Sequence, residues 1–328
     1  MGDELDKELS ELGEDWVLER ILGSLSSPQN TRLRIGDDAV ELCVGERIVV
    51  SGDMLVESTD VPPGMSPRQI GLKAVTSVIS DFAAKGAEPS YFIVELGLPI
   101  RLRGRDFLEL WKGILEAAEK YGGQVVGGDT NEAKEIIIGV TGIGKAHNPV
   151  PRTCARPGEI LAVTGPFGKT YAGLHAALQG LDNPRWRPLL EAVYEPKARL
   201  KEGLALANAG IPTAAIDSSD GLEACLHELS VMSGVGFFVE RLPLDPLAEE
   251  YVRDHGLDPI EAVFRGGEEY ELVLTLPASR LDEALTRLSY LGSTLIPIGR
   301  VVAERGVVVE TSGGVIELRG KGWRHFRR

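Results

Sequence analysis

The chain has 328 residues, with 49 Asp and Glu against 35 Lys and Arg and a formal charge of −14. That length can bury one large core or two medium ones, and 43% apolar residues with 39 Gly and 19 Pro exclude a disordered or collagen-like chain. The acidic balance argues against a general nucleic-acid backbone binder, which needs clustered positive charge, but not against an anionic substrate held through metal ions.

The first predicted element is an amphipathic helix over 14–25, where Leu18, Ile21, Leu22 and Leu25 repeat at helical spacing. Residues 47–56 read as a β-branched strand with an acid, Asp53, inside it. Ser66-Pro67 marks a helix start, because Ser caps and Pro fits the first turn. The stripe Ile70, Ala74, Val75, Val78, Ile79, Phe82 then runs to a stop at Gly86. Strands are predicted over 91–98, 124–126 and 135–143, with a helix over 106–121 between the first two. The Pro- and Gly-rich stretch between Lys145 and Gly158 reads as a linker. The expected division is a first domain over 1–147 and a C-terminal α+β domain over 148–328. In the second half, strands are predicted over 160–163, 214–216, 236–240, 270–276, 296–300 and 307–318, and helices over 171–178, 201–209, 220–232 and 279–288. The order is that of an α/β and α+β protein with mixed sheets and packed helices.

Three cysteines, Cys43, Cys154 and Cys225, form an odd set without metal-ligand spacing, so reduced thiols and a cytoplasmic location are expected. The acidic N-terminus lacks a basic leader with an apolar run behind it, so no secretory signal is expected. No apolar run approaches a membrane span, and no membrane partner is expected.

The chemistry is carried by acids in unusual places. Asp37 and Asp38 follow Gly36, Asp81 lies beside the apolar stripe of its helix, Asp129 follows two glycines, and Asp217 and Asp220 bracket Ser218-Ser219. Singly, each also fits a turn or a helix cap. Together, with Asp53, they read as carboxylates that converge without Lys or Arg and therefore require cations. Oxygen ligands of this kind suit Mg2+, and adjacent glycines let backbone N–H groups approach a phosphate. A nucleotide phosphate site follows. The stretch Gly165-Pro166-Phe167-Gly168-Lys169-Thr170 falls short of the full Walker spacing; it reads first as a tight turn and second as a phosphate cradle. The Rossmann and protein-kinase motifs are missing.

Seven ordered blocks then resemble the thiamine-monophosphate kinase family, within the superfamily of aminoimidazole ribonucleotide synthetase. They are Gly36-Asp37-Asp38-Ala39-Val40, Asp53-Met54-Leu55-Val56-Glu57, the run from Ser80-Asp81 to Glu88-Pro89, Gly127-Gly128-Asp129-Thr130, Asp217-Ser218-Ser219-Asp220-Gly221-Leu222, the run from Gly266-Gly267-Glu268 to Leu272, and Gly322-Trp323-Arg324-His325-Phe326. The loop Glu57-Ser58-Thr59-Asp60-Val61 departs from the bacterial pattern, with Asp60 standing where a histidine is common.

The resemblance implies a two-domain fold whose N-terminal domain, 1–147, binds ATP and Mg2+ and dimerises, with ATP as co-substrate and transfer of its γ-phosphoryl to thiamine monophosphate in a homodimer. It implies metal ligation by Asp37, Asp38, Asp53, Asp81, Asp129, Asp217 and Asp220, of which Asp37, Asp129 and Asp220 are cast as catalytic. Nucleotide contacts fall to Gly128, Thr130, Lys169 and Ser219. Substrate contacts fall to Asp60, Arg152, Glu268, Tyr270 and Trp323, the two aromatics offering a face to the thiazolium cation and Glu268 or Glu271 a partner for the aminopyrimidine. Another ATP-using synthetase of the superfamily, or a non-catalytic nucleotide-binding relative, is the alternative.

Overall fold

The computed structural model describes residues 32–33, 37–38, 40–43, 47–181, 183–311 and 313–320. The predicted helix over 14–25, together with Gly36 and Trp323, lies outside them.

Two mixed sheets organise the chain. The first has the order β1-β2-β5-β3-β4, built from β1 (Val40–Cys43), β2 (Arg47–Val56), β3 (Glu88–Leu98), β4 (Gln124–Glu132) and β5 (Ile137–Lys145). Its pairs are antiparallel except β3 with β4. A short helix, α1 (Glu57–Asp60), leaves β2, and two long ones, α2 (Pro67–Lys85) and α3 (Gly104–Lys120), cover one face. The second sheet has the order β12-β11-β8-β10-β6-β9-β7. Its strands are β6 (Ile160–Val163), β7 (Ala214–Asp217), β8 (Gly236–Val239), β9 (Leu272–Leu276), β10 (Ile296–Val302), β11 (Gly306–Thr311) and β12 (Gly314–Leu318). Around it lie α4 (Lys169–Leu178), α5 (Arg187–Tyr194), α6 (Leu200–Asn208), α7 (Leu222–Ser233), α8 (Pro246–Asp254), α9 (Pro259–Phe264) and α10 (Leu281–Ser289).

Helix α2 holds the two halves together. It begins with the expected cap: the Ser66 hydroxyl accepts from the Gln69 N–H at 3.3 Å and Gln69 Oε1 accepts from the Ser66 N–H at 3.0 Å. It ends at Gly86, left-handed at φ 63°. Gly71 and Gly113 let α2 and α3 cross closely, since a Cβ on either would fall about 2 Å from a carbonyl oxygen of the other helix. The far side of α2 packs against α6 and β7 of the second half. Buried on both sides, it carries Ile70, Val75, Val78, Ile79 and Phe82 into the core and also buries Lys73, Thr76, Ser80 and Lys85. Buried lysines need partners, and theirs define the site.

Three differences from the sequence reading have local causes. The run predicted over 307–318 is a hairpin, β11 and β12, broken at the glycines Gly313 and Gly314. Helices α8 and α9 were not foreseen, yet each opens on Asp-Pro, with Asp245 accepting from the Leu247 and Ala248 N–H groups and Asp258 from that of Ile260. Strand β4 runs on through Gly128, where a Cβ would lie 1.7 Å from the Val94 carbonyl oxygen. That glycine is required by the close pairing of β4 with β3.

Candidate active site

The carboxylates gather at the seam between α2, β2 and β7. Asp38, before β1, Asp81, on α2, and Asp217, ending β7, each place one oxygen within 4.8 Å of the others. Hydroxyl donors orient two of them: Ser51 of β2 donates to Asp81, and Ser80 donates to Asp217 at 2.8 Å. Burial, then the charges of Asp217 and Asp53, push the Asp81 carboxyl well above the usual range. Asp217 is also raised, chiefly by burial, against the pull of Ser80, Arg152 and Lys85. Asp53 keeps an edge in solvent, yet the protein wall around it strips enough water to raise its carboxyl, with Ser77 opposing. Negative charge is under-compensated here.

The donor set fits a hard divalent cation: oxygens alone, with Asp38 Oδ2 buried and lacking an aligned hydrogen bond. The expectation that the acids converge without Lys or Arg is corrected. Lys85 lies 2.6 Å from Asp37 Oδ1 and 2.8 Å from Asp38 Oδ2. Arg152 pairs with Asp38, and its N–H donates to Asp37 Oδ2 at 3.2 Å. Asp37 therefore sits at the edge of the group with its charge already matched.

Lys73, one turn into α2, reaches across to the second half. Its ammonium donates to the Asp60 carbonyl at 2.6 Å and meets both Glu268 oxygens at 2.6 and 2.7 Å. Asp60 itself caps the end of β2, accepting from the Val56 N–H at 2.7 Å. Glu268 and Tyr270 have positive φ, 62° and 51°, an uncommon backbone for such side chains. The Glu268 N–H donates to the Ser219 carbonyl at 2.7 Å, fixing that turn. Tyr270 is 3% exposed, and burial, followed by the charges of Glu268, Asp53, Asp217 and Asp81, raises its hydroxyl. The aromatic face expected of Tyr270 is thus turned inward.

Other expected contacts are engaged elsewhere. Lys169 pairs with Asp245 at 3.1 Å. The N-terminus of its helix is filled by Glu269, which accepts from the Gly168 and Thr170 N–H groups at 2.6 and 3.1 Å; a carboxylate occupies the place suggested for a phosphate. Burial outweighs those donors and raises Glu269 to about 7. Glu271, expected near the aminopyrimidine or in solvent, is buried and held by Arg199 and Thr164 at 2.8 and 2.7 Å. Glu269 and Glu271 face a cavity of about 810 Å³ that Gln69, Lys169, Arg187 and Arg199 also line. Glu268 and Tyr270 are not among its walls.

Asp220 is exposed just before α7, whose N-cap is Gly221. Asp129 is not brought to the cluster. The cross-strand row Asp53, Val140, Val94, Gly128 faces the helices, so the adjacent row Met54, Gly139, Glu95, Asp129 faces away. The Asp129 carboxylate accepts from the Thr130 N–H at 2.8 Å beside a depression of about 540 Å³ on that outer face.

The residues that sequence reasoning missed are Lys73, Lys85, Ser51, Ser77 and Ser80. Four positions on α2, Lys73, Ser77, Asp81 and Lys85, lie four residues apart and make a polar stripe along one side of an otherwise apolar helix.

Two mixed sheets packed around a carboxylate seam have the architecture of the AIR synthase related class, and a family model of the AIR synthase related protein, N-terminal domain, matches residues 36–146. Thiamine-monophosphate kinase from Pyrococcus horikoshii is 37% identical over 294 residues, 89% of this chain and 91% of that one. Its counterpart from Nitrosopumilus maritimus is 34% identical over 284 residues, 86% and 90% of the two chains. The solved structure of AaThiL complexed with AMPPCP and TMP is 29% identical, with a TM-score of 0.87 over 97% of this chain and 99% of that one. The chain belongs to the thiamine-monophosphate kinase family.

Proposed function

We infer that the chain transfers the γ-phosphoryl group of ATP to the phosphate of thiamine monophosphate, giving thiamine diphosphate and ADP. The observation that carries the reading is the group Asp38, Asp81 and Asp217, set at the seam of a fold shared with a kinase solved with an ATP analogue and TMP. These three, with Asp53 beside them, would hold Mg2+, which would supply the screening of phosphate repulsion and the charge neutralisation that phosphoryl transfer needs.

The chain's own residues do the positioning. Ser51 and Ser80 turn the Asp81 and Asp217 carboxylates toward one another. Lys73 aims Glu268 from across the seam toward the substrate's aminopyrimidine, and Arg152 ties the second half to the Asp37-Asp38 turn. The acceptor oxygen is already anionic at neutral pH, so no residue need act as a strong general base.

We place the enzyme in the cytoplasm, where ATP is found, as a homodimer joined through the outer face of the first sheet. Met54 and Tyr91 are 64% and 49% exposed there, with Ile93 and Ile137 half-buried beside them, an apolar strip that supports an interface. Asp129 acts from that face, at the partner's site, while Gly128 and Thr130 belong to the row that faces the helices. The domain division over 1–147 and 148–328 keeps its assigned roles in this reading.

Incubation with ATP, Mg2+ and thiamine monophosphate tests the function. ADP and thiamine diphosphate form in equal amounts if it holds; turnover only with a purine precursor or selenide refutes it.

A further inference from the structure

The Lys85 ammonium has three donors and no acceptor, and three oxygens surround it: Asp37 Oδ1 at 2.6 Å and Asp38 Oδ2 at 2.8 Å as ion pairs, and the Ala215 carbonyl, which accepts from it at 2.8 Å. The side chain is fully buried. Two carboxylates and a backbone carbonyl are the donor set a hard cation selects. Here an ammonium stands in it. Lys85 occupies the last turn of α2, where the helix dipole favours a cation. Ala215 lies two residues before Asp217 on β7, so the same group touches the helix end, the strand and the Asp37-Asp38 turn.

The charges divide accordingly. Asp37 and Asp38 face Lys85 and Arg152, one cation for each carboxylate. Asp81 and Asp217 are met mainly by hydroxyls, Ser51 and Ser80, and both carboxyls are raised by burial. Asp38 Oδ1 meets Arg152, but Oδ2, 2.8 Å from Lys85, lacks an aligned hydrogen bond, so Asp38 keeps capacity on that oxygen beside Asp81 and Asp217. Asp37 has no such remainder: one oxygen takes Lys85 and the other the Arg152 N–H.

We propose that Lys85 is a built-in cation standing in for a divalent ion on Asp37 and Asp38. It holds their turn in place before any metal arrives, and leaves metal binding to Asp81, Asp217 and the one Asp38 oxygen that lacks an aligned hydrogen bond. The proposal rests on the reading that these carboxylates hold divalent ions. A covalently tethered cation cannot be lost to dilution or chelation, so the enzyme assembles its site with fewer metal ions than its carboxylates could hold.

Mn2+ alone is the probe, with the number bound per chain counted by electron paramagnetic resonance and by calorimetry on the full-length protein, without nucleotide. Wild type should bind Mn2+, and Lys85→Met should bind one more per chain, because two carboxylates, Asp37 and Asp38, are then left with Arg152 as their one cation. An unchanged count in a folded Lys85→Met protein overturns the proposal and leaves the carboxylate site intact. Should that variant not fold, Asp37→Asn decides. The proposal expects its Mn2+ count and affinity to match wild type, whereas a lost ion or a tenfold weaker affinity makes Asp37 a ligand and overturns the role given to Lys85. No Mn2+ binding by wild type refutes the metal reading itself, and the proposal with it.

Discussion

Lys73→Met severs the link that Lys73 makes between the two halves. The lysine side chain is 4% exposed and its ammonium lies 2.6 Å from Glu268, with the Asp60 carbonyl as second acceptor at 2.6 Å. Removing one partner of a buried pair costs roughly 3–5 kcal/mol. The Glu268 side chain is 35% exposed and can partly rehydrate, which lowers the expectation to about 2–3 kcal/mol. Urea unfolding of Lys73→Met, Glu268→Gln and the double variant measures this. Because Glu268→Gln removes the stranded charge, the double variant should be about as stable as Lys73→Met alone, a coupling of at least ~1 kcal/mol. With Glu268 no longer aimed, KM for thiamine monophosphate should rise roughly tenfold, about 1.4 kcal/mol, while that for ATP moves little. Single-variant effects that add within ~0.5 kcal/mol, or equal changes in both KM values, would refute the reasoning.

Glu269 has a folded pKa of about 7 against an ordinary 4.5. Its stabilising, protonated state is complete below 4.5 and lost as pH rises to about 7, a fall of about 3 kcal/mol. Glu269→Gln should flatten that fall in denaturation curves, and an unchanged pH profile would contradict the assignment. Asp81→Asn relieves repulsion from Asp217 and Asp53, so the metal-free protein should gain about 1 kcal/mol in thermal unfolding while activity drops on the order of 100-fold. Loss of stability in that variant would argue against crowded negative charge. Tyr91→Lys on the outer face of the first sheet should yield monomers in sedimentation. Asp129→Asn should keep the dimer and the melting temperature yet lose most of kcat; wild-type kcat would remove Asp129 from the site.

Much of the fold was legible because local signals agreed with the tertiary outcome. Helix α2 was readable at both ends, from Ser66-Pro67 and from Gly86, since caps act within one turn. Helices α8 and α9 were readable in principle from Asp245-Pro246 and Asp258-Pro259, whose caps went without a reading between the strands predicted over 236–240 and 270–276. The acids of the site were found by their placement among apolar residues. Their partners were harder, because Lys73 and Lys85 lie 12 positions apart on the helix and their acceptors, Glu268, Asp37 and Ala215, are up to 195 residues away. No local pattern reports such a pairing. Only the four-residue spacing from Lys73 to Lys85 pointed to it.

Those pairings alter what the charge of −14 means at the site. Composition alone suggests that any phosphate ligand needs metal for every carboxylate it meets. The seam instead divides the work. Lys73, Lys85 and Arg152 neutralise the acids that hold the two halves in register: Glu268, Asp37 and Asp38. Asp81 and Asp217 are left crowded and under-compensated. A site neutral throughout would bind no cation, and one acidic throughout would spring apart without it. Fixed cations at the edges and open carboxylates at the centre let the metal-free protein fold while keeping, at the seam, the negative charge that the proposed divalent ions would need.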